Sequence, residues 1–135
     1  MFAVTALYAG ALGLLQFVLS MWVVWGRWTL RVSLGDGGIR NMERRIRVHG
    51  NFAEYVPMVL LLTAFNEGAG RPGWFLHVLG GGLLVGRLLH AYGLLRRGGP
   101  SPGRFVGMTL TYTVLVLAAA GALAHGAGSF GPGGP

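Results

Sequence analysis

The sequence predicts an all-α integral membrane protein, a bundle of four transmembrane helices. Three observations carry that reading. Apolar residues make up 53% of the 135-residue chain and only four residues are acidic. All eleven basic residues are arginine, the first at Arg27 and the last at Arg104. Uncharged runs long enough to cross a bilayer alternate with arginine clusters, whereas a soluble helical domain intersperses Lys, Glu and Asp over its surface. The length suits one domain, here residues 1–126, followed by a Gly/Pro-rich flexible tail over 127–135.

The first helix is expected over 2–31, because its uncharged stretch exceeds the ~20 residues that span the hydrocarbon. Tyr8, Trp22, Trp25 and Trp28 lie towards its ends, where aromatic belts form. Ala6, Ala9, Gly10 and Gly13 give it a small-residue face suited to close helix contact. The run Ser33-Leu34-Gly35-Asp36-Gly37-Gly38 ends it in a loop. A second helix is expected over 40–66. Its uncharged run, Tyr55 to Asn66, is about 12 residues and cannot span alone, so polar residues enter the bilayer. The third helix, 72–95, opens on Pro72 and has a narrow face at Gly82 and Gly86; the fourth covers 103–125 after a Gly/Pro loop that includes Arg96 and Arg97.

Arginines gather at the first connection (Arg27, Arg31, Arg40, Arg44, Arg45, Arg47) and the third (Arg96, Arg97, Arg104), while the second has only Glu67 and Arg71. The positive-inside rule places the first and third connections in the cytoplasm and both termini opposite. The same segregation explains the +7 formal charge by topology and argues against nucleic acid. There is no cysteine, hence no disulfide, thiolate metal site or cysteine nucleophile. The first 25 residues lack a basic n-region and are read as a retained helix.

Arg40, Arg44, Arg47, Asn51, Glu54 and Met58 are spaced 4, 3, 4, 3 and 4 and so lie along one helix face. Ionisable groups at membrane depth are costly and are expected to face the protein interior or a wet cavity and to be paired. The stripe alone admits two readings: an ion-pair network, such as Arg47 with Glu54 of a neighbouring helix, or a ligand site. Arg27, Arg87, His90 and Arg104 bring cations from the other three helices to that level, against Asp36, Glu43 and Glu54. An anionic ligand or lipid headgroups must supply the difference, and arginine suits carboxylates because it binds them bidentately and stays charged. From Arg47 to Glu54 the helix rises about 10 Å, the length of an extended tripeptide.

The segment Glu43-Arg44-Arg45-Ile46-Arg47-Val48-His49-Gly50-Asn51-Phe52-Ala53-Glu54-Tyr55-Val56-Pro57 resembles the signature of the MAPEG family, the membrane-associated proteins of eicosanoid and glutathione metabolism. Gly86-Arg87-Leu88-Leu89-His90-Ala91-Tyr92-Gly93 resembles a bacterial form of that family's third-helix segment, and Arg27 to Val32 the end of its first helix. The resemblance extends to about His125. It implies a homotrimer holding glutathione between subunits near the cytoplasmic face, in a bacterial inner membrane. By the same resemblance Arg47, His49, Asn51, Glu54 and Tyr55 would contact glutathione, Arg27 would reach it from the first helix, and Arg87 and His90 would lie at the site. Arg104 would stabilise the thiolate for attack on a lipophilic electrophile or a lipid hydroperoxide. The sequence departs from some relatives in placing His90 and Leu94 where they carry tyrosines, which argues against eicosanoid synthase activity. The rival is a non-catalytic protein of the same fold binding an anionic metabolite or lipid. A small multidrug transporter would need an acid in the first helix, and there is none.

Lesser signals are weaker. Pro57 removes the usual donor to the Ala53 carbonyl and predicts a kink. His49 and His90 lack a third convergent ligand, so no metal is expected. His77 and His125 read as interfacial and Gly80-Gly81-Gly82 as close helix packing; Thr109, Thr111, Tyr112 and Thr113 either line a cavity or hydrogen-bond a helix carbonyl, the second reading being favoured.

Overall fold

The computed structural model describes residues 2–96 and 101–129. It contains α1 (Ala3–Leu30), α2 (Arg40–Gly68), α3 (Gly73–Arg96) and α4 (Pro102–Ser129). Arg97, three other residues of the third connection and the tail over 130–135 lie outside the described residues. By length and composition α1, α3 and α4 can cross a membrane, and α2 is the polar exception anticipated from its short uncharged run. One boundary differs from expectation: α4 continues to Ser129, taking in residues 127–129 of the expected tail. Its last turns run beside α2, where Gly126 and Ala127 line an open groove with Phe65 and Leu62.

α1 begins without a side-chain cap of its own. The Glu67 carboxylate, from the last turn of α2, accepts the backbone N–H groups of Val4 at 2.9 Å and Thr5 at 2.7 Å. An acid on free N–H donors at the positive end of a helix supplies both hydrogen bonds and charge. α1 ends at Arg31, whose left-handed conformation (φ 53°) turns the chain while the Val32 N–H donates to the Arg27 carbonyl.

Val48, Phe52, Val56, Val59 and Thr63 form the inward face of α2. They meet Leu12 and Leu19 of α1, Leu79 and Leu83 of α3, and Val114 and Ala118 of α4 in the core. The helix continues through Pro57, which is exposed. At the end carrying Glu67, the buried Asn66 amide donates to the Leu62 and Ala118 carbonyls at 2.8 and 2.9 Å, and Arg71 donates to the Gly121 carbonyl at 3.2 Å. Tyr8 lies against Gly80 and hydrogen-bonds His77 at 3.1 Å, so the glycine run does serve close packing.

α3 and α4 cross backbone to backbone. A Cβ on Gly107 would fall 2.5 Å from the Gly86 carbonyl, and one on Gly93 would fall 2.7 Å from Ser101 Oγ. Gly82 lies on the same face, towards Val114. Ser101 caps α4 by accepting the Arg104 N–H at 3.3 Å, donates to the Gly93 carbonyl at 3.0 Å, and is followed by Pro102 at the first helical position. This crossing fixes where Arg104 leaves its helix. On the small-residue face of α1, nothing among the described residues lies within 4 Å of a Cβ built on Gly10 or Gly13.

Candidate functional site

The arginine-rich ends of α2 and α4 enclose a cavity of about 330 Å³ beside Leu94 of α3. Arg40, Arg44, Arg47 and Arg104 line it with a single carboxylate, Glu43. These five side chains carry a formal +3, and Arg44 Nε is buried there without a hydrogen-bond partner among the described residues. Guanidinium groups so grouped repel one another, most at the half-buried Arg44 and less at Arg40, Arg47 and Arg104, which solvent screens. α2 supplies three of them through its 4-3 spacing, and the Ser101 cap sets the fourth at the start of α4.

Below the cavity is a buried knot of hydrogen bonds. Arg87 is 2% exposed, and its Nη1 donates to Asn51 Oδ1 at 2.5 Å and to the Asn51 carbonyl at 3.4 Å. Its Nη2 donates to Thr111 Oγ1 at 2.7 Å and to Met108 Sδ at 3.3 Å, while Nε has no partner among the described residues. The guanidinium also lies 5.8 Å from the centre of the Tyr55 ring. All these partners are neutral. Tyr55 and Tyr112 share a hydrogen bond of 3.1 Å with edge-to-face rings, closing the knot towards the outer surface between α2 and α4.

The expected site residues divide into three groups. Arg47, Asn51, Tyr55, Arg87 and Arg104 belong to the cavity or the knot below it, and the buried His90 lies within electrostatic range of Arg47, Arg87 and Arg104. Glu54 and Met58 continue the stripe on an exposed edge. The stripe is expected to face the interior or a cavity; Arg40, Arg44 and Arg47 line the cavity and Asn51 meets the buried Arg87, whereas Glu54 and Met58 do neither, because the opposite face of α2 fills the core. Glu54 is therefore not brought to the cavity within one chain. His49 and Arg27 form the third group. His49 turns to α1, where Nε2 hydrogen-bonds Ser20 Oγ at 2.9 Å. Arg27 donates to the Ser33 and Gly35 carbonyls of the first loop at 3.4 and 3.1 Å.

Two features were not legible from spacing. Arg45 sits between two stripe arginines in sequence but is taken up by α1, donating to the Trp22 carbonyl at 2.9 Å with its guanidinium 4.6 Å from the Trp22 ring centre. Thr111 and Met108 emerge as partners of Arg87. Thr111 donates to the Gly107 carbonyl, as a membrane-helix threonine commonly does, and also accepts from Arg87. Tyr92 points away, under Arg96.

Comparison with known proteins places this geometry in context. Residues 5–124 match the model of the MAPEG family. Two similar relatives are the inner membrane protein YecN of Escherichia coli strain K12 and its counterpart in E. coli O6:H1 strain CFT073. Each is 41% identical over 114 residues, covering 84% of this chain and 86% of the relative.

Proposed function

The chain belongs to the MAPEG family, and on that premise we propose that it is a glutathione-dependent enzyme of the bacterial inner membrane, acting as a homotrimer on a lipophilic electrophile or lipid hydroperoxide. The observation that carries the reading is the cavity in which four arginines face one carboxylate. Glutathione is an elongated tripeptide with two carboxylates and one ammonium, and its net negative charge, greater as the thiolate, offsets part of the arginine excess along a stripe of matching length. The second copy gives a role to what one chain leaves unused: the exposed Glu54 and the small-residue face of α1. By charge, the arginine-rich connections face the cytoplasm.

The chemistry assigned to Arg104 is electrostatic. A thiol with a pKa of about 8.5 is mostly protonated at neutral pH, and a guanidinium beside it favours the nucleophilic thiolate. A depression of one to two units corresponds to about 1.4 to 2.7 kcal/mol in favour of the charged form. In transfer, the sulfur forms a bond to an electrophilic carbon while the leaving group departs with its electron pair. In reduction, the sulfur attacks a hydroperoxide oxygen, the O–O bond breaks to give an alcohol, and a second glutathione converts the sulfenic product to disulfide and water.

The rival is a non-catalytic binder of an anionic metabolite or lipid, and the residue that separates the two readings is Arg104. Ultraviolet thiolate absorbance on titrating glutathione into detergent-purified protein separates the two readings. The enzyme reading expects a thiolate signal that Arg104→Ala abolishes while binding persists and that Arg47→Ala weakens together with binding. Binding without thiolate would favour the rival, and no binding would remove glutathione as the ligand.

A further inference from the structure

We infer that Arg87 is a positioning residue that fixes the side-chain amide of Asn51 as an obligate hydrogen-bond donor towards the ligand. The inference rests on the glutathione reading of the same site and adds a specificity rule to it. An asparagine amide can present either its oxygen or its NH2 group to a ligand, and the two arrangements differ only by a flip about one bond. Arg87 removes that freedom. A guanidinium has donors and no acceptor, so the Asn51 atom 2.5 Å from Nη1 has to be the oxygen. The NH2 group is then turned away from Arg87 and can only donate. The ligand atom opposite must be an acceptor, such as a carboxylate or carbonyl oxygen, and an ammonium or N–H group is excluded there.

The fork geometry is what makes the lock firm. Nη1 holds Asn51 while Nη2 is held by Thr111 and Met108 of α4, so the guanidinium plane is fixed from two helices. Lysine could keep the charge but not both bonds in one plane. The charge has a second effect. Among the described residues Arg87 is buried with neutral partners, and polarisation of the Asn51 amide by the guanidinium strengthens its NH2 group as a donor. An anion at that point benefits from Arg87 without touching it.

The test is a double-substitution cycle on glutathione affinity in the trimeric protein, with thermal unfolding of the ligand-free variants alongside. Asn51→Ala is expected to weaken binding about tenfold or more, the scale of a lost bond to a charged group. Arg87→Gln is expected to weaken it to a similar extent, and Asn51→Ala added to Arg87→Gln should cost less than about twofold further, because the amide is already free to flip. Asn51→Asp supplies the fold control without deleting the contact: its carboxylate should pair with Arg87, raising the thermal midpoint while lowering glutathione affinity, and the rise should vanish in Arg87→Gln. Independent, additive losses in affinity, or a midpoint in Asn51→Asp that does not depend on Arg87, would overturn the positioning role. Wild-type protein that binds no glutathione would instead sink the functional reading and the affinity claim with it, a result readily told apart from additivity.

Discussion

The two ends of the bundle treat charge differently. At the end carrying Glu67, the acid is spent on the first N–H groups of α1 and Arg71 on a carbonyl of α4, so both charged groups are bound within the chain. At the other end, Arg40, Arg44, Arg47 and Arg104 surround a cavity with one carboxylate, and Arg87 beneath them has only neutral partners. The helices that meet at both ends are the same, so the difference does not lie in the fold. It lies in where the charges go: the first end binds them within the chain, and the second groups four arginines around a cavity with one carboxylate.

That contrast makes four graded predictions. The largest effect expected is ligand stabilisation: glutathione at about 100 times its Kd should stabilise the wild type by about 2.7 kcal/mol, read as a higher thermal midpoint in detergent. An unchanged midpoint in the presence of demonstrated binding would contradict a site that is incomplete without its anion. Next, Glu67→Gln should destabilise the protein by about 1 to 3 kcal/mol, by weakening a charged cap, and leave glutathione affinity within twofold. A loss of binding in that variant would show that the two ends are coupled.

Arg47→Ala reverses the pattern. Its glutathione Kd should rise about tenfold, or about 1.4 kcal/mol, with a thermal midpoint equal to or above that of ligand-free wild type, because one member of a repelling group is gone. Calorimetry and unfolding on the same preparation check both halves. The smallest effect is that of salt: the ligand-free wild type should gain a few tenths of a kcal/mol between low and high ionic strength as the arginines are screened, and Arg44→Ala should gain less. A salt response of opposite sign would mean that internal ion pairs already neutralise the cavity.

Much of this was legible in the sequence. The uncharged runs marked α1 and α4, an apolar segment interrupted by Arg87 marked α3, the short apolar run of α2 announced polar residues at membrane depth, and Gly82 with Gly86 marked the close face of α3. The 4-3 spacing put Arg40, Arg44 and Arg47 together, and the start of α4 brought Arg104 to them. Spacing along one helix cannot say which neighbour a residue meets. His49 and Asn51 are two positions apart, yet one turns to Ser20 of α1 and the other to Arg87 of α3. Arg45 reads like its neighbours but is held by α1. Glu67 looked like a loop charge because its partners, two backbone N–H groups, leave no mark in the sequence. The tail was misjudged at its start because glycine content speaks of isolated helix propensity, whereas the end of α4 runs alongside α2.

The Glu67 clasp also bears on how the chain is built. The N–H groups of Val4 and Thr5 receive their acceptor from a residue made more than sixty positions later, at the far end of the next helix. When α1 first enters the bilayer, its leading end therefore has to rely on water or headgroups at the surface. The acid reaches those groups only once the end of α2 lies beside the start of α1, and the two helices then form a hairpin latched at its open end.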